Sequence, residues 1–171
     1  MSEFLRLIWD ICCLRRGPQD LPYAPLLLGV LCVATLAFAA IVSRELGTVL
    51  IEVLALAVYL GALHTVLRVR GLANRFVQSA IALIACALVF DLILTPMQLM
   101  VGHSKAPQPS PFQGLLVLGI LATIAWKVMV DASIFRHSFN VTFALGLCIA
   151  LAWLIFIVYV NYLLMPGGPA A

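Results

Sequence analysis

Five long apolar runs constrain this chain more than any other feature of its sequence. Each is close to or longer than the roughly 17 residues that an α-helix needs, at about 1.5 Å per residue, to cross about 30 Å of hydrocarbon. The runs cover Leu26–Val42, Val49–Val66, Phe76–Val101, Leu115–Val130 and Val141–Met165. A backbone in lipid must satisfy its own hydrogen bonds, and the alternating pattern of a β-barrel is absent, so the runs predict helices.

The composition argues against a soluble domain. Of the 171 residues, 64% are hydrophobic and 10% are charged, whereas a soluble domain is about half apolar and about a quarter charged. We therefore predict an all-α integral membrane protein, with a bundle of five transmembrane helices preceded by an amphipathic interfacial helix. The predicted segments are an interfacial helix at 1–16, a Pro-rich turn at 17–25, a transmembrane domain at 26–165 and a flexible tail at 166–171.

The first 16 residues have the pattern of a helix that lies in a membrane interface. Apolar residues recur at helical spacing on one side, and Glu3, Arg6 and Asp10 lie on the other, where Arg6 can meet Asp10. Such a helix binds the bilayer through its apolar face and its cations. The residues predicted at the membrane surface are Arg6, Trp9, Arg15 and Arg16.

The basic residues predict the orientation, because Lys and Arg accumulate on the cytoplasmic side. If the N-terminus is inside, the inner side holds Arg6, Arg15, Arg16, Arg68, Arg70, Arg75 and Arg136, and the outer side holds only Arg44 and Lys105. We predict a cytoplasmic N-terminus and an outside C-terminus, in a bacterial inner membrane.

Lys127 and Asp131 lie four residues apart in the fourth span, so they share a helix face and can pair. One interpretation is that they form the wet end of the helix, with Lys127 reaching toward the headgroups, and the neighbouring Trp126 favours it. The other is a polar site that faces the bundle.

Asp91 lies deep in the third span and is too short to reach water from there. It must be protonated, paired or facing water, so we predict that it faces the bundle. Pro96 predicts a kink one turn later, and Thr95 is the first candidate to bond Asp91. A direct salt bridge to Lys127 is not expected, because the two are offset by roughly 7–15 Å along the membrane normal.

Two further polar residues leave alternatives open. Glu52 begins the second span and either faces headgroup water or forms an acidic pair with Asp91. His64 lies near the inner end of the same span, as an interfacial hydrogen-bonding residue or as a partner for Asp131.

Small residues repeat every four positions and predict helix contacts, inside the bundle or with a partner. They are Ala57 and Gly61, Ala82 and Cys86, and Ala144, Cys148 and Ala152.

No motif for a catalytic, metal or nucleotide site is present, and the loops are too short to hold an active site. The five cysteines have no metal-ligand spacing. We predict no catalytic residue, no metal, no cofactor and no nucleic-acid partner. The expected partners are the lipid bilayer and either another membrane protein or further copies of this chain.

The segment "DLPYAP", residues 20–25, precedes the first span. With five spans, a cytosolic N-terminus and this length, the chain resembles the bacterial branch of the Yip1-type membrane domain. The eukaryotic branch has Asp-Leu-Tyr-Gly-Pro at this place, whereas this chain has an inserted Pro and lacks the Gly. The resemblance implies a trafficking or membrane-organising scaffold and assigns no residue a role.

Two functions therefore remain. The first, which we favour, is a scaffold or accessory subunit that packs against another membrane protein. The second is a small oligomeric transporter or channel-like protein that uses Asp91, Glu52 and Lys127 as a polar path.

Overall fold

The computed structural model describes residues 2–43, 46–102 and 111–164, with side chains described except at Ser2, Leu46 and 160–164. These ranges are helical and contain no strand. The α-helices are α1 (Ser2–Cys12), α2 (Pro25–Ser43), α3 (Leu46–Val69), α4 (Phe76–Gly102), α5 (Pro111–Phe139) and α6 (Phe143–Leu164), with 3₁₀ turns at Pro18–Asp20 and Ala73–Arg75. The predictions for Arg44, for Lys105 and for the tail at 166–171 lie outside the described residues.

Four helices, α2 to α5, are long and apolar enough to cross a membrane. The all-helical class and the membrane-compatible character of the chain are thus confirmed. The sixth helix is also apolar over Phe143–Tyr159, the part of it whose side chains are described.

The fourth helix lies at the centre of the packing. Its residues 79–86 are all buried, so it is covered on every side over these two turns. It contacts α1, α2, α3 and α5. The second helix is peripheral, since none of its side chains is buried within the protein. The predicted small pair on α4, Ala82 and Cys86, lies in this packed region with both side chains fully buried.

The fifth and sixth helices approach each other most closely at Gly146. A Cβ atom built there would lie 2.5 Å from the backbone oxygen of Ala132, so only glycine fits. Gly146 and Ala150, four residues apart, are the small residues that α6 buries against the protein. The repeat predicted on α6 (Ala144, Cys148 and Ala152) is exposed instead. The predicted repeat is displaced by two residues from the buried pair, which corresponds to about 200° around a helix with about 3.6 residues per turn.

The first helix packs on protein through its apolar face. Ile8, Ile11 and Cys12 are buried in the core formed with α4 and α5. The helix ends at Cys12, and Leu14, with a φ of 60°, turns the chain back. That turn places Arg16 Nε 3.4 Å from Asp10 Oδ2, so Asp10 pairs with Arg16 rather than with the predicted Arg6.

The Pro-rich turn that follows lies against α4 and α5. The Asp20 carboxylate accepts a hydrogen bond from the Gly17 backbone nitrogen at 3.1 Å, which closes the short 3₁₀ turn. The Gln78 side-chain amide of α4 donates to the Leu21 carbonyl at 2.6 Å. These bonds fix the entry into α2.

The fifth helix is longer than its apolar run. The run ends at Val130, but the helix continues to Phe139, because no glycine or proline interrupts it before Asn140, whose φ is 53°. Asp131 therefore lies about 12 Å before the end of the helix, at about 1.5 Å per residue. It belongs to the helix interior rather than to its terminus.

Candidate polar site between α4 and α5

The predicted Lys127–Asp131 pair is formed. Lys127 Nζ donates to Asp131 Oδ2 at 2.7 Å, one turn along α5. The Asp131 side chain is 10% exposed and that of Lys127 is 26% exposed. The residues beside Asp131, Val130 and Ala132, are fully buried. This burial favours the interpretation in which the pair faces protein over the one in which it is the wet end of a helix.

Two further carboxylates lie near this pair, one within electrostatic range of Lys127 and the other within range of the first. Asp91 of α4 is half-buried, and its carboxyl lies within electrostatic range of Lys127, Glu52 and Asp131. Glu52 of α3 is also half-buried. One cation and three acidic groups thus lie in one low-dielectric region, where a carboxyl without a compensating cation favours its protonated form. The arrangement can hold a proton.

The predicted partners of Asp91 have a mixed outcome. Lys127 directs its hydrogen bond to Asp131, in line with the expectation of no direct salt bridge to Asp91. No hydrogen bond between Thr95 and Asp91 is seen within the described residues. The fourth helix continues through Pro96 to Gly102. Pro96 has no N–H for the Leu92 carbonyl, so a kink there stays a prediction.

His64 lies apart from the acidic groups. Its ring is exposed on α3 and meets the Phe76 ring edge-to-face, with centroids 5.0 Å apart. In the part of the chain that the structure describes, Asp131 pairs with Lys127 and not with His64. The pairing with Asp131 is therefore not formed, and the role of an interfacial hydrogen-bonding residue stays a prediction.

Trp126 connects this site to the first helix. Its indole nitrogen donates to the Cys12 carbonyl at 2.8 Å. Its ring lies edge-to-face against Phe90 at 5.1 Å and against Trp9 at 6.5 Å. The sequence suggested an interfacial belt residue, but this side chain joins α1 to α5 directly beside Lys127.

Two cysteines and a tyrosine complete the surroundings, and the sequence analysis placed none of the three beside Lys127 and Asp131. The Cys12 and Cys86 sulfurs lie 3.5 Å apart, and both side chains are fully buried. Tyr59 of α3 lies within electrostatic range of Asp131 and Cys86. The only signal was the position of each residue on an apolar helix, which does not reveal partners on distant helices.

The predicted surface residues of the N-terminal segment lie on the outside of the protein. Arg6, Arg15 and Arg16 are exposed, and the Trp9 side chain is 53% exposed. They are available to headgroups, but their contact with a bilayer stays a prediction.

Comparisons with known proteins do not assign this site. No family model, curated protein or solved structure matches the chain. Among the described residues, no group of three or more His, Cys, Asp or Glu side chains is arranged to hold a metal ion. The functional argument therefore rests on the geometry of this chain.

Proposed function

We propose that the chain is a scaffold or accessory subunit of a membrane, which packs side by side with another membrane protein or with further copies of itself. The observation that carries this proposal is an open ridge of small residues on α3. Ala57, Gly61 and Thr65 follow one another every four residues, and all three are exposed. A Cβ atom built at Gly61 would meet nothing within 4 Å.

Such a ridge supports lateral association because helices in lipid associate by close backbone approach. The chain already uses this principle internally, where Gly146 brings α6 against the backbone of α5. On α3 the corresponding glycine of the ridge, Gly61, has no such neighbour within 4 Å. The Thr65 hydroxyl donates to the Gly61 carbonyl at 2.8 Å, so the ridge carries no unsatisfied hydroxyl into lipid.

The proposal includes five membrane spans in one bundle, an interfacial α1 and a cytoplasmic N-terminus. Its support is that the ends of α3 and α5 lie on one side, since the Arg75 guanidinium donates to the His137 carbonyl at 3.1 Å. The arginines of both ends therefore gather there, as positive-inside topology requires. In a cysteine-free background, an impermeant thiol reagent should label Ser104→Cys and not Asn74→Cys in intact cells. The opposite labelling would refute this orientation.

The Yip1-type resemblance agrees with a membrane-organising scaffold, and a bacterial inner membrane is the proposed location. Neither is needed for the experiment on α3. That experiment asks only whether the ridge binds a helix.

The ridge is tested by replacing Gly61 with Leu. Gly29→Leu on α2 is the matched control, because Gly29 is also open and also lies in an apolar helix. Association is measured by light scattering in mild detergent and by the amount of membrane protein that co-purifies. We expect Gly61→Leu to weaken association about tenfold, equivalent to about 1.4 kcal/mol, and Gly29→Leu to leave it unchanged. Equal association of both variants and the wild type would refute the proposal.

The second candidate, a small oligomeric transporter or channel-like protein, is favoured by one observation. The carboxyls of Asp91 and Asp131 lie within electrostatic range of the Lys127 ammonium group, and Glu52 lies within range of Asp91. This candidate predicts that vesicles containing the purified protein pass protons or Na⁺, and that Asp91→Asn abolishes the flux with the fold intact. Glu3→Gln, at an exposed acid on α1, is the control. Absence of flux in the wild type would exclude this candidate for both ions.

A further inference from the structure

A groove opens between α3, α5 and α6, on the side of α3 opposite the small-residue ridge. Its volume is about 350 Å³, and apolar and aromatic side chains line it. On α3 the lining residues include Tyr59, Leu63 and Val66, which follow helical spacing. The groove and the small-residue ridge thus occupy different faces of α3.

Aromatic rings form the walls of the groove. The Tyr59 ring lies against Trp153 of α6, with centroids 4.5 Å apart. Phe135 and Phe139 of α5 stack at 5.5 Å with their planes 5° apart. Because these rings support one another, the groove is walled by packed side chains rather than by mobile ones.

Two arginines lie next to lining residues of the groove, near the ends of α3 and α5. Arg70 follows the lining residue Val66 by one turn, and its backbone nitrogen bonds the Val66 carbonyl at 3.1 Å. Arg136 follows the lining residue Phe135 directly on α5. Both arginine side chains are exposed. Neither forms an ion pair with an acidic side chain within the described residues.

We propose that this groove binds an acyl chain of an anionic phospholipid whose phosphate is held by Arg70 and Arg136. The lining matches hydrocarbon, and two arginines without an acidic partner next to lining residues match a phosphate, which accepts bidentate hydrogen bonds from guanidinium groups. Basic pockets between transmembrane helices bind such headgroups.

Native mass spectrometry in mild detergent tests the headgroup. The probes are phosphatidylglycerol and phosphatidylcholine with identical acyl chains. We expect the wild type to bind phosphatidylglycerol about tenfold or more tightly than phosphatidylcholine, and Arg70→Gln/Arg136→Gln to lose most of this preference. The control Arg68→Gln removes an exposed arginine that lies two residues from Arg70, on another face of α3, and should change binding less than twofold. Equal binding of the two lipids by the wild type, or an unchanged preference in the Arg70/Arg136 variant, would overturn the headgroup assignment.

A second variant tests the acyl chain. Ala62, which also lines the groove and is exposed, is replaced by Phe to fill the space. We expect Ala62→Phe to weaken binding of both lipids by about tenfold, whereas Ala122→Phe, at an exposed position of α5 outside the groove, has no effect. Size-exclusion profiles confirm that each variant is folded. Unchanged lipid binding by a folded Ala62→Phe variant would overturn the assignment of the groove.

Discussion

The contact between α5 and α6 allows a sharp test of the fold through a single methyl group. Gly146→Ala adds a Cβ atom that would lie 2.5 Å from the Ala132 carbonyl oxygen and 3.3 Å from the Arg136 nitrogen. Both are backbone atoms, so no side chain can rotate away. To restore an ordinary contact of 3.4 Å, the helices must separate by about 0.9 Å.

The magnitude follows from two opposing effects. Alanine stabilises a helix interior by roughly 0.5–1 kcal/mol relative to glycine. The same gain is expected when a glycine at a control position is replaced by alanine. Overpacking of a tight contact costs about 1–3 kcal/mol. A Gly→Ala control at an open position cancels the first effect, so we expect Gly146→Ala to be about 1–3 kcal/mol less stable than that control.

Two controls give a graded series. Gly29→Ala meets no atom within 4 Å, whereas Gly119→Ala meets the terminal methyl of Met97 at 2.6 Å, which can move. The assay is unfolding in one mild detergent, followed by tryptophan fluorescence. We expect stability to fall in the order Gly29→Ala, Gly119→Ala, Gly146→Ala. If Gly146→Ala is as stable as Gly29→Ala, α5 and α6 do not meet as described.

Two further predictions concern the polar site. Lys127→Met leaves the nearly buried Asp131 carboxylate unpaired and should lower the free energy of unfolding by about 3 kcal/mol, the lower end for a broken buried pair because Lys127 is 26% exposed. The double variant Lys127→Met/Asp131→Leu should recover most of this loss in the same unfolding assay. A double variant as unstable as Lys127→Met would contradict the pairing. Mild oxidation should join Cys12 to Cys86, whose sulfurs lie 3.5 Å apart, as a linked peptide in mass spectrometry; linkage of Cys12 to other cysteines instead would show that α1 is not docked on α4.

Local spacing was sufficient to predict what lies within one helix. The Lys127–Asp131 pair is four residues apart, and helix geometry alone brings the two groups together. The end of α5 was missed because an apolar run marks the lipid-soluble part of a helix and not the helix itself. Only the left-handed backbone at Asn140 shows where it ends.

Contacts between helices required the structure. Cys12 and Cys86 are 74 positions apart, and Cys12 and Trp126 are 114 positions apart. In an apolar helix every face is compatible with lipid, so hydrophobicity does not show which face packs on protein. The small residues of α6 illustrate this, since the repeat predicted at Ala144, Cys148 and Ala152 is exposed and α6 buries Gly146 and Ala150 instead.

The first helix shows the same ambiguity in a form that bears on function. Its amphipathic pattern separates apolar from polar residues, but it does not separate protein from lipid as the apolar partner. In the structure Ile8 and Ile11 are buried on protein, while Leu5 is 63% exposed and Trp9 is 53% exposed. The helix thus has one apolar face against the protein and a second that is free to enter a bilayer. Its last turn accepts a hydrogen bond from Trp126, next to Lys127, so α1 is joined to the helix that carries the polar site.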